Sequence, residues 1–194
     1  MTRIRIVIKS IYSKYFRFKY RKDAIIGRNC TFGLKARIIN KTGRKDAIHI
    51  GNNVMLHGSI ICEATGEIKI DDYVSIRRNT YIGSIESVKI GKYTIISDNV
   101  HIVDNNNHPI SPTERKKMVL SGWSNKEWQW ENSISKPIHI HSNVWICQSS
   151  RVMKGCHIGD NSILGANSVL TNSVGSNIIA AGNPAKVVKK INEN

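Results

Sequence analysis

Residues 140–170 read IHSNVW-ICQSSR-VMKGCH-IGDNSI-LGANSV-L, and an aliphatic side chain opens every hexad: Ile140, Ile146, Val152, Ile158, Leu164 and Leu170. A spacing of six fits neither the 3.6-residue turn of an α-helix nor the two-residue alternation of an ordinary strand. The same frame runs upstream in shorter stretches: Ile26, Phe32, Ile38; Ile50, Leu56, Cys62; Ile70, Ile76, Ile82; Ile90, Ile96, Ile102. Turn-forming residues often follow the aliphatic one, as at Gly27, Gly51, Asp71, Gly91, Gly159 and Gly165. Small or β-branched residues often stand four positions after it, as at Val54, Val74, Thr94, Val144, Ser162 and Ser168.

Such a period predicts rungs of six residues, each a short strand and a corner, with three rungs to a triangular coil. The aliphatic residue points inward and stacks on its equivalents in neighbouring coils, which a chance arrangement in a β-sandwich would not require. Ile140 to Ile158 spans 18 residues, whereas Ile50 to Ile70 and Ile70 to Ile90 span 20 each, so some coils carry a bulged corner. The expected fold is all-β, a parallel β-helix of about six coils.

Three segments break the frame. In residues 1–22 the apolar positions Ile4, Ile8, Ile11, Tyr15 and Phe18 recur every three or four, with basic residues between them. That predicts an amphipathic helix capping the first coil. Residues 40–47 form a short polar corner, and residues 103–137 form a long ejected loop, a kind of insertion that usually carries function. Gly182-Asn183-Pro184 ends the solenoid, and Ala185 to Ile191 reads as a short closing helix. The expected organisation is a basic helix over 1–22, a repeat domain over 23–184 and a C-terminal helix or tail over 185–194.

The chain has 194 residues, enough for one domain without disulfides. Cys30, Cys62, Cys147 and Cys156 show no CxxC pairing, so they read as buried thiols of a reducing compartment. No stretch approaches the length of a bilayer span, and Arg3, Arg5, Lys9 and Lys14 interrupt any secretory signal. The expectation is a cytoplasmic protein, with residues 1–22 able to rest on the inner face of a membrane. Lys plus Arg total 29 against 14 Asp plus Glu, a net +15. The basic residues Arg3, Arg5, Lys9, Lys14, Arg17, Lys19, Arg21 and Lys22 have no acidic neighbour in 1–22. This segment thus supplies about half the excess, which argues for anionic lipid there and against a nucleic-acid surface on the rest.

The ejected loop carries Asn107-His108-Pro109 and three of the four tryptophans, Trp123, Trp128 and Trp130. His108 is a candidate general base, because an imidazole near its reference pKa takes a proton from a hydroxyl at neutral pH. The tryptophans suit either sugar stacking or pinning the loop to the coil wall. Asp104 or Glu131 could orient the imidazole, or stand as ordinary loop charges.

Taken with Ile90-Gly91-Lys92-Tyr93-Thr94-Ile95, Ile140-His141-Ser142-Asn143-Val144-Trp145-Ile146, Gly155-Cys156-His157-Ile158-Gly159-Asp160-Asn161-Ser162-Ile163-Leu164-Gly165-Ala166 and Ala181-Gly182-Asn183-Pro184-Ala185-Lys186-Val187, the chain resembles the hexapeptide-repeat acyltransferases of the maltose, galactoside and polysaccharide O-acetyltransferase type. The resemblance implies a left-handed helix, acetyl-CoA as donor, no metal, and a homotrimer with active sites between prisms. It places His108 on the catalytic histidine, which would activate an acceptor hydroxyl for direct attack on the thioester. It places Ser97, Trp145, Gln148 and Ala166 along the pantetheine arm. Thr171, Asn172, Lys186 and Lys189 fall at its nucleotide end.

Cys147-Gln148 stands where relatives often have Gly-Ser, and Asn167 where many have Gly. Arg77 occupies a position where enzymes acting on small sugars often carry Asn, which points to a different, even anionic, acceptor. The implied function is O-acetylation of a sugar hydroxyl in a bacterial surface polysaccharide, lipopolysaccharide or precursor. The alternative is a non-enzymatic scaffold or membrane-surface protein. A metal-dependent carbonic anhydrase on the same prism would need a closely spaced histidine pair followed by Gly-Cys, which this chain lacks. A covalent route through Cys147 would need a thiolate-stabilising site.

Overall fold

The computed structural model describes residues 3–192, with side chains described from Ile11 onward. Short strands wind into three sheets of six, eight and six strands, the walls of a triangular prism, all parallel except the last strand of the eight. Successive strands of one sheet lie a full coil apart in sequence, as in the pairings Ile90 with Ile140, Ile96 with Ile146 and Ile102 with Val152. The inward column of the first sheet includes Ile50, Ile70, Ile90, Ile140 and Ile158, each at most 1% exposed. Those of the second and third sheets include Leu56, Ile76, Ile96 and Ile146, and Ile82, Ile102 and Val152.

The corners are built by residues in the left-handed backbone region, mostly asparagines: Asn29, Asn53, Asn143 and Asn161 at one corner, and Asn79, Asn99 and Asn167 at another. Asparagine tolerates this region better than other L-residues. Its amide also ladders between coils, Asn143 donating to Asn161 and Asn161 to Asn177, both at 2.9 Å. Buried Thr94, Ser150 and Ser162 donate their hydroxyls to backbone carbonyls across the same corners.

The prism differs from expectation in four places. In the second coil Ile60, not Cys62, aligns with Ile38 and Ile82. The His57-Gly58 corner is two residues shorter than the frame assumes, so Cys62 moves on to a later inward position, where it too is fully buried.

The N-terminal helix, α1 (Arg3–Lys19), caps the first coil with a different stripe. Phe16 is 1% exposed and stacks on Phe32 at 3.9 Å between centroids, flanked by Tyr20 and Tyr12. Ser13 Oγ and Arg17 Nη1 donate to the carbonyls of Cys30 and Gly27. Ile11, Tyr15 and Phe18, expected on the buried face, are 57–63% exposed. The side chains of Ile4 and Ile8 lie outside the described residues, as do those of Arg3, Arg5 and Lys9.

The C-terminal segment is a strand, not the expected helix. Residues Ala185–Lys190 pair antiparallel with Ile178–Gly182 through the turn at Asn183-Pro184. The last coil presents unpaired backbone groups, and β-branched Val187 and Val188 favour covering them as a strand. Finally, the excursion between the strands His101–Val103 and Ile138–Ile140 is not all loop: it contains helix α2 (Pro112–Leu120), capped by Ser111, which accepts from the Glu114 N–H.

Candidate active site

The excursion leaves the third wall at Asp104, whose carboxylate is fully buried. Its Oδ2 accepts from Ser84 Oγ at 2.6 Å and from the N–H groups of Glu86 and Ser87 at 2.9 Å. Its Oδ1 accepts from the Ile85 N–H at 3.0 Å and from Asn105 Nδ2 at 3.2 Å. Its acceptor capacity is therefore taken up by the 84–87 turn and by Asn105. Asp104 roots the loop: of the two readings open in the sequence, a carboxylate that orients His108 or a solvated loop charge, the buried network matches neither. Next to it, Asn105 bridges to Ser135, the Asn106 N–H donates to the Ile134 carbonyl, and the Lys136 N–H donates to Asp104 O. This zipped neck holds residues 104–107 against 134–136 and fixes where the next residue, His108, emerges.

His108 is exposed and lines a cleft of about 400 Å³ with His101, Asn105, Asn107, Arg115, Arg151 and Met153. The ring of Trp128 meets the imidazole edge-on at 5.7 Å, and Trp123 stacks on Trp128 at 4.4 Å. Trp123 is 83% exposed and Trp128 half-buried, so the open aromatic face beside the imidazole is mainly that of Trp123. Trp130 is different. It packs edge-on against Tyr81 at 6.2 Å and lies so close to Gly83 that a Cβ there would sit 2.8 Å from the indole. It pins the loop to the wall and offers little to a substrate.

Glu131 lines a neighbouring cleft with Pro109, Glu127 and Asn132. Among the described residues no side chain hydrogen-bonds the His108 imidazole. On the cleft floor His101 stacks on Tyr81 at 5.0 Å. Burial, and then the Arg151 guanidinium, push its pKa below the usual histidine value. Burial pushes the Tyr81 phenol up to about 12.

The residues expected along the donor path lie on a different wall. Across the outer face of the second sheet, register aligns Ile95, Trp145, Ile163, Ile179 and Lys189 in one row. Ile95 and Trp145 are about half exposed, and Trp145 Nε1 donates to Ser97 Oγ at 3.2 Å. Lys186, opposite Ala181, extends the row's basic end. Gln148 and Ala166 are exposed where the second wall turns into the third. Arg77 occupies this corner one coil before Ser97, 3.9 Å from the Asp98 carboxylate. Thr171 and Asn172 sit at a separate corner, joined by a side-chain bond at 3.2 Å. Burial raises the pKa of Cys147, the opposite of what a thiolate nucleophile requires.

An exposed apolar row that ends in two lysines suits a long thioester carrier, with the arm on the aliphatic wall and the phosphates at the basic end. None of the donor-path residues lines the His108 cleft. The imidazole faces the third wall, and the apolar row faces the second.

The bacterial transferase hexapeptide (six repeats) family matches residues 137–172. A putative lipopolysaccharide biosynthesis O-acetyl transferase of Escherichia coli K12, WbbJ, is 31% identical over 148 residues, covering 75% of this chain and 73% of that one. The galactoside O-acetyltransferase of the same strain is 35% identical over 126 residues, but the match spans only 55% of its length and 62% of this chain. Among solved structures, a galactoside acetyltransferase in complex with coenzyme A superposes with a TM-score of 0.57 at 25% identity, covering 94% of this chain and 72% of that one. AntD, an N-acyltransferase from Bacillus cereus in complex with dTDP and 3-hydroxybutyryl-CoA, shares the fold with a TM-score of 0.70 at 20% identity, covering 92% and 88%.

Proposed function

The chain belongs to the hexapeptide-repeat acyltransferases, built on a left-handed parallel β-helix, and from that premise we propose that it transfers an acetyl group from acetyl-CoA to a sugar hydroxyl, with His108 as general base. The observation that carries this reading is His108 itself: an imidazole held at a cleft mouth by a zipped neck, with the stacked Trp128 and exposed Trp123 at its side.

The donor supplies an activated acyl carbon. Ser97, Trp145, Gln148 and Ala166 hold its arm, and Thr171, Asn172, Lys186 and Lys189 its nucleotide end. His108 accepts the proton of the acceptor hydroxyl as that oxygen attacks, then returns a proton to the departing thiolate. The tryptophan pair stacks a sugar ring, and Arg77 and Arg151 favour an acceptor that bears negative charge. The WbbJ relative supports a surface polysaccharide, lipopolysaccharide or precursor as the acceptor class. Replacing Trp123 or Trp128 acts on KM for that acceptor rather than for the donor.

The imidazole and the donor row lie on different walls of one prism, so we assign the complete site to two chains. The third wall of one protomer faces the second wall of its neighbour. A closed ring of such heterologous contacts gives the homotrimer, with each groove holding one site.

Exposed Ile11, Tyr15 and Phe18 on α1, beside Lys14, Lys19, Arg21 and Lys22, would rest on an anionic membrane where a lipid-linked glycan is presented. Among the described residues no helix is long and apolar enough to cross a membrane. Sedimentation with phosphatidylglycerol vesicles tests this placement; an Ile11→Ser, Tyr15→Ser, Phe18→Ser variant that still sediments would refute it.

The function is tested by incubating the protein with acetyl-CoA and a panel of activated and polymeric sugars and reading thiol release. Acceptor-dependent release is expected. His108→Ala should lower kcat by about 10²–10⁴-fold with donor binding retained. An unchanged rate would remove His108 from the mechanism.

A further inference from the structure

Three histidines come together on the first wall, away from the His108 cleft. His139 and His141 project from the same side of strand Ile138–Ile140 and its end, and His157 stands beside His139 in parallel register on the next coil. One nitrogen of each lies within 4.8 Å of one nitrogen of each of the others. The rings of His139 and His141 stack at 4.0 Å, and those of His139 and His157 meet at 6.0 Å. Asp160 is fixed beside them: its Oδ1 accepts from the Ser142 N–H at 2.9 Å, and its Oδ2 lies 3.9 Å from His141 Nδ1.

From this geometry we propose a binding site for a late first-row divalent cation, zinc or nickel, held by His139, His141 and His157 and oriented by Asp160. Three imidazoles from an i, i+2 pair and its cross-strand neighbour occupy one face of a coordination sphere and leave an open position for water. A tetrahedral ion with bonds of about 2.0–2.1 Å needs nitrogens roughly 3.4 Å apart. The terminal torsion of histidine is soft, so ring rotation on the fixed strands closes the difference.

Asp160 supplies the carboxylate that metal-bound histidines commonly engage through the second ring nitrogen. The donor set decides the metal. Neutral imidazoles suit zinc, copper and nickel and do not suit magnesium or calcium. The Lys89 ammonium, on the strand in register with His139, adds charge repulsion. Binding here therefore depends on nitrogen–metal bonding rather than on net negative charge.

The resemblance implies no metal; His139 and His141 are an i, i+2 pair, but His157 joins them only through coil stacking. The ion would tie the first strand after the excursion to the coil that follows, securing the far end of the loop's neck.

Isothermal titration of the full, untagged, chelator-treated chain with zinc sulfate, and separately with nickel chloride, tests the site. One ion per chain is expected, with no heat from magnesium chloride at the same concentrations. His139→Asn and His157→Asn should each abolish that binding, and Asp160→Asn should weaken it about 10–100-fold. His49→Asn, on the same wall but outside the cluster, should leave it intact. Cobalt(II) should give the visible absorption of a four-coordinate nitrogen–oxygen site in the parent chain alone. Absence of saturable zinc or nickel binding, or binding that survives in folded His139→Asn and His157→Asn, would overturn the proposal.

Discussion

Asp104→Asn separates a structural carboxylate from a catalytic one. In the native chain Oδ2 accepts from one hydroxyl and two N–H groups, and Oδ1 from one N–H and one amide. An asparagine can place its oxygen at only one of these positions. With the oxygen in the Oδ2 position, its amide nitrogen faces the Ile85 N–H and Asn105 Nδ2, donor against donor. One buried N–H then loses its partner at about 1–3 kcal/mol, and the remaining bonds lose their charge assistance. The sum is roughly 2–4 kcal/mol, or about 5–15 °C in Tm for a chain of this size. Thermal denaturation followed by circular dichroism reads the shift. If Asp104 instead served only to orient His108, the substitution would lower kcat and leave Tm within about 1 °C of the parent. That result would refute the assignment of Asp104 as the root of the loop.

Three further outcomes are expected. Cys147→Ala should keep parental kcat, since burial raises the thiol's pKa and no cation compensates it; loss of thiol release in a folded variant would revive a covalent route. His101 is held below its usual pKa by burial and then by Arg151, so the unfolded chain takes up that proton first as pH falls below about 6.5. Stability is thereby lost on acidification, and Tm should fall more steeply between pH 7.5 and 5.5 in the parent than in His101→Gln; parallel slopes would contradict this. Gly83→Ala should cost about 1–3 kcal/mol in urea denaturation because its new methyl meets the Trp130 indole. The penalty should shrink in a Trp130→Ala background, whereas full additivity would show that the two do not touch.

The inward aliphatic period was readable from the chain because each hexad obeys the same local geometry, and Ile140 to Leu170 needs no distant information. Errors arose where a local pattern has two solutions that tertiary packing decides. On α1 two apolar stripes compete, and the aromatic one at Tyr12, Phe16 and Tyr20 wins because Phe32 offers it a ring to stack on. Ala185–Lys190 has a composition that could be helical, but the open end of the second sheet recruits it as a strand.

His108 stands out in the sequence through its Asn-His-Pro setting, and the fold brings it to the mouth of a cleft. Asp104, by contrast, looked like a loop charge because its partners lie about twenty residues upstream on the previous coil. The roles of the tryptophans were open in the sequence, since only the fold brings Trp130 onto Gly83 and leaves Trp123 outside. Of the His139, His141 and His157 cluster the chain shows only the His139–His141 pair, because His157 joins it across a coil.

Subunit complementation tests the central claim that one chain's imidazole works on the donor held by its neighbour. His108→Ala supplies an intact donor face without the base, and a variant with Trp145→Ala and Lys189→Glu supplies the base without that face. Each alone should be nearly inactive. Co-expressed in equal amounts and assembled at random, they should recover about a quarter of parental thiol release, because one groove in four pairs an intact loop with an intact wall. Activity no greater than the sum of the two separate variants would contradict a site shared between chains.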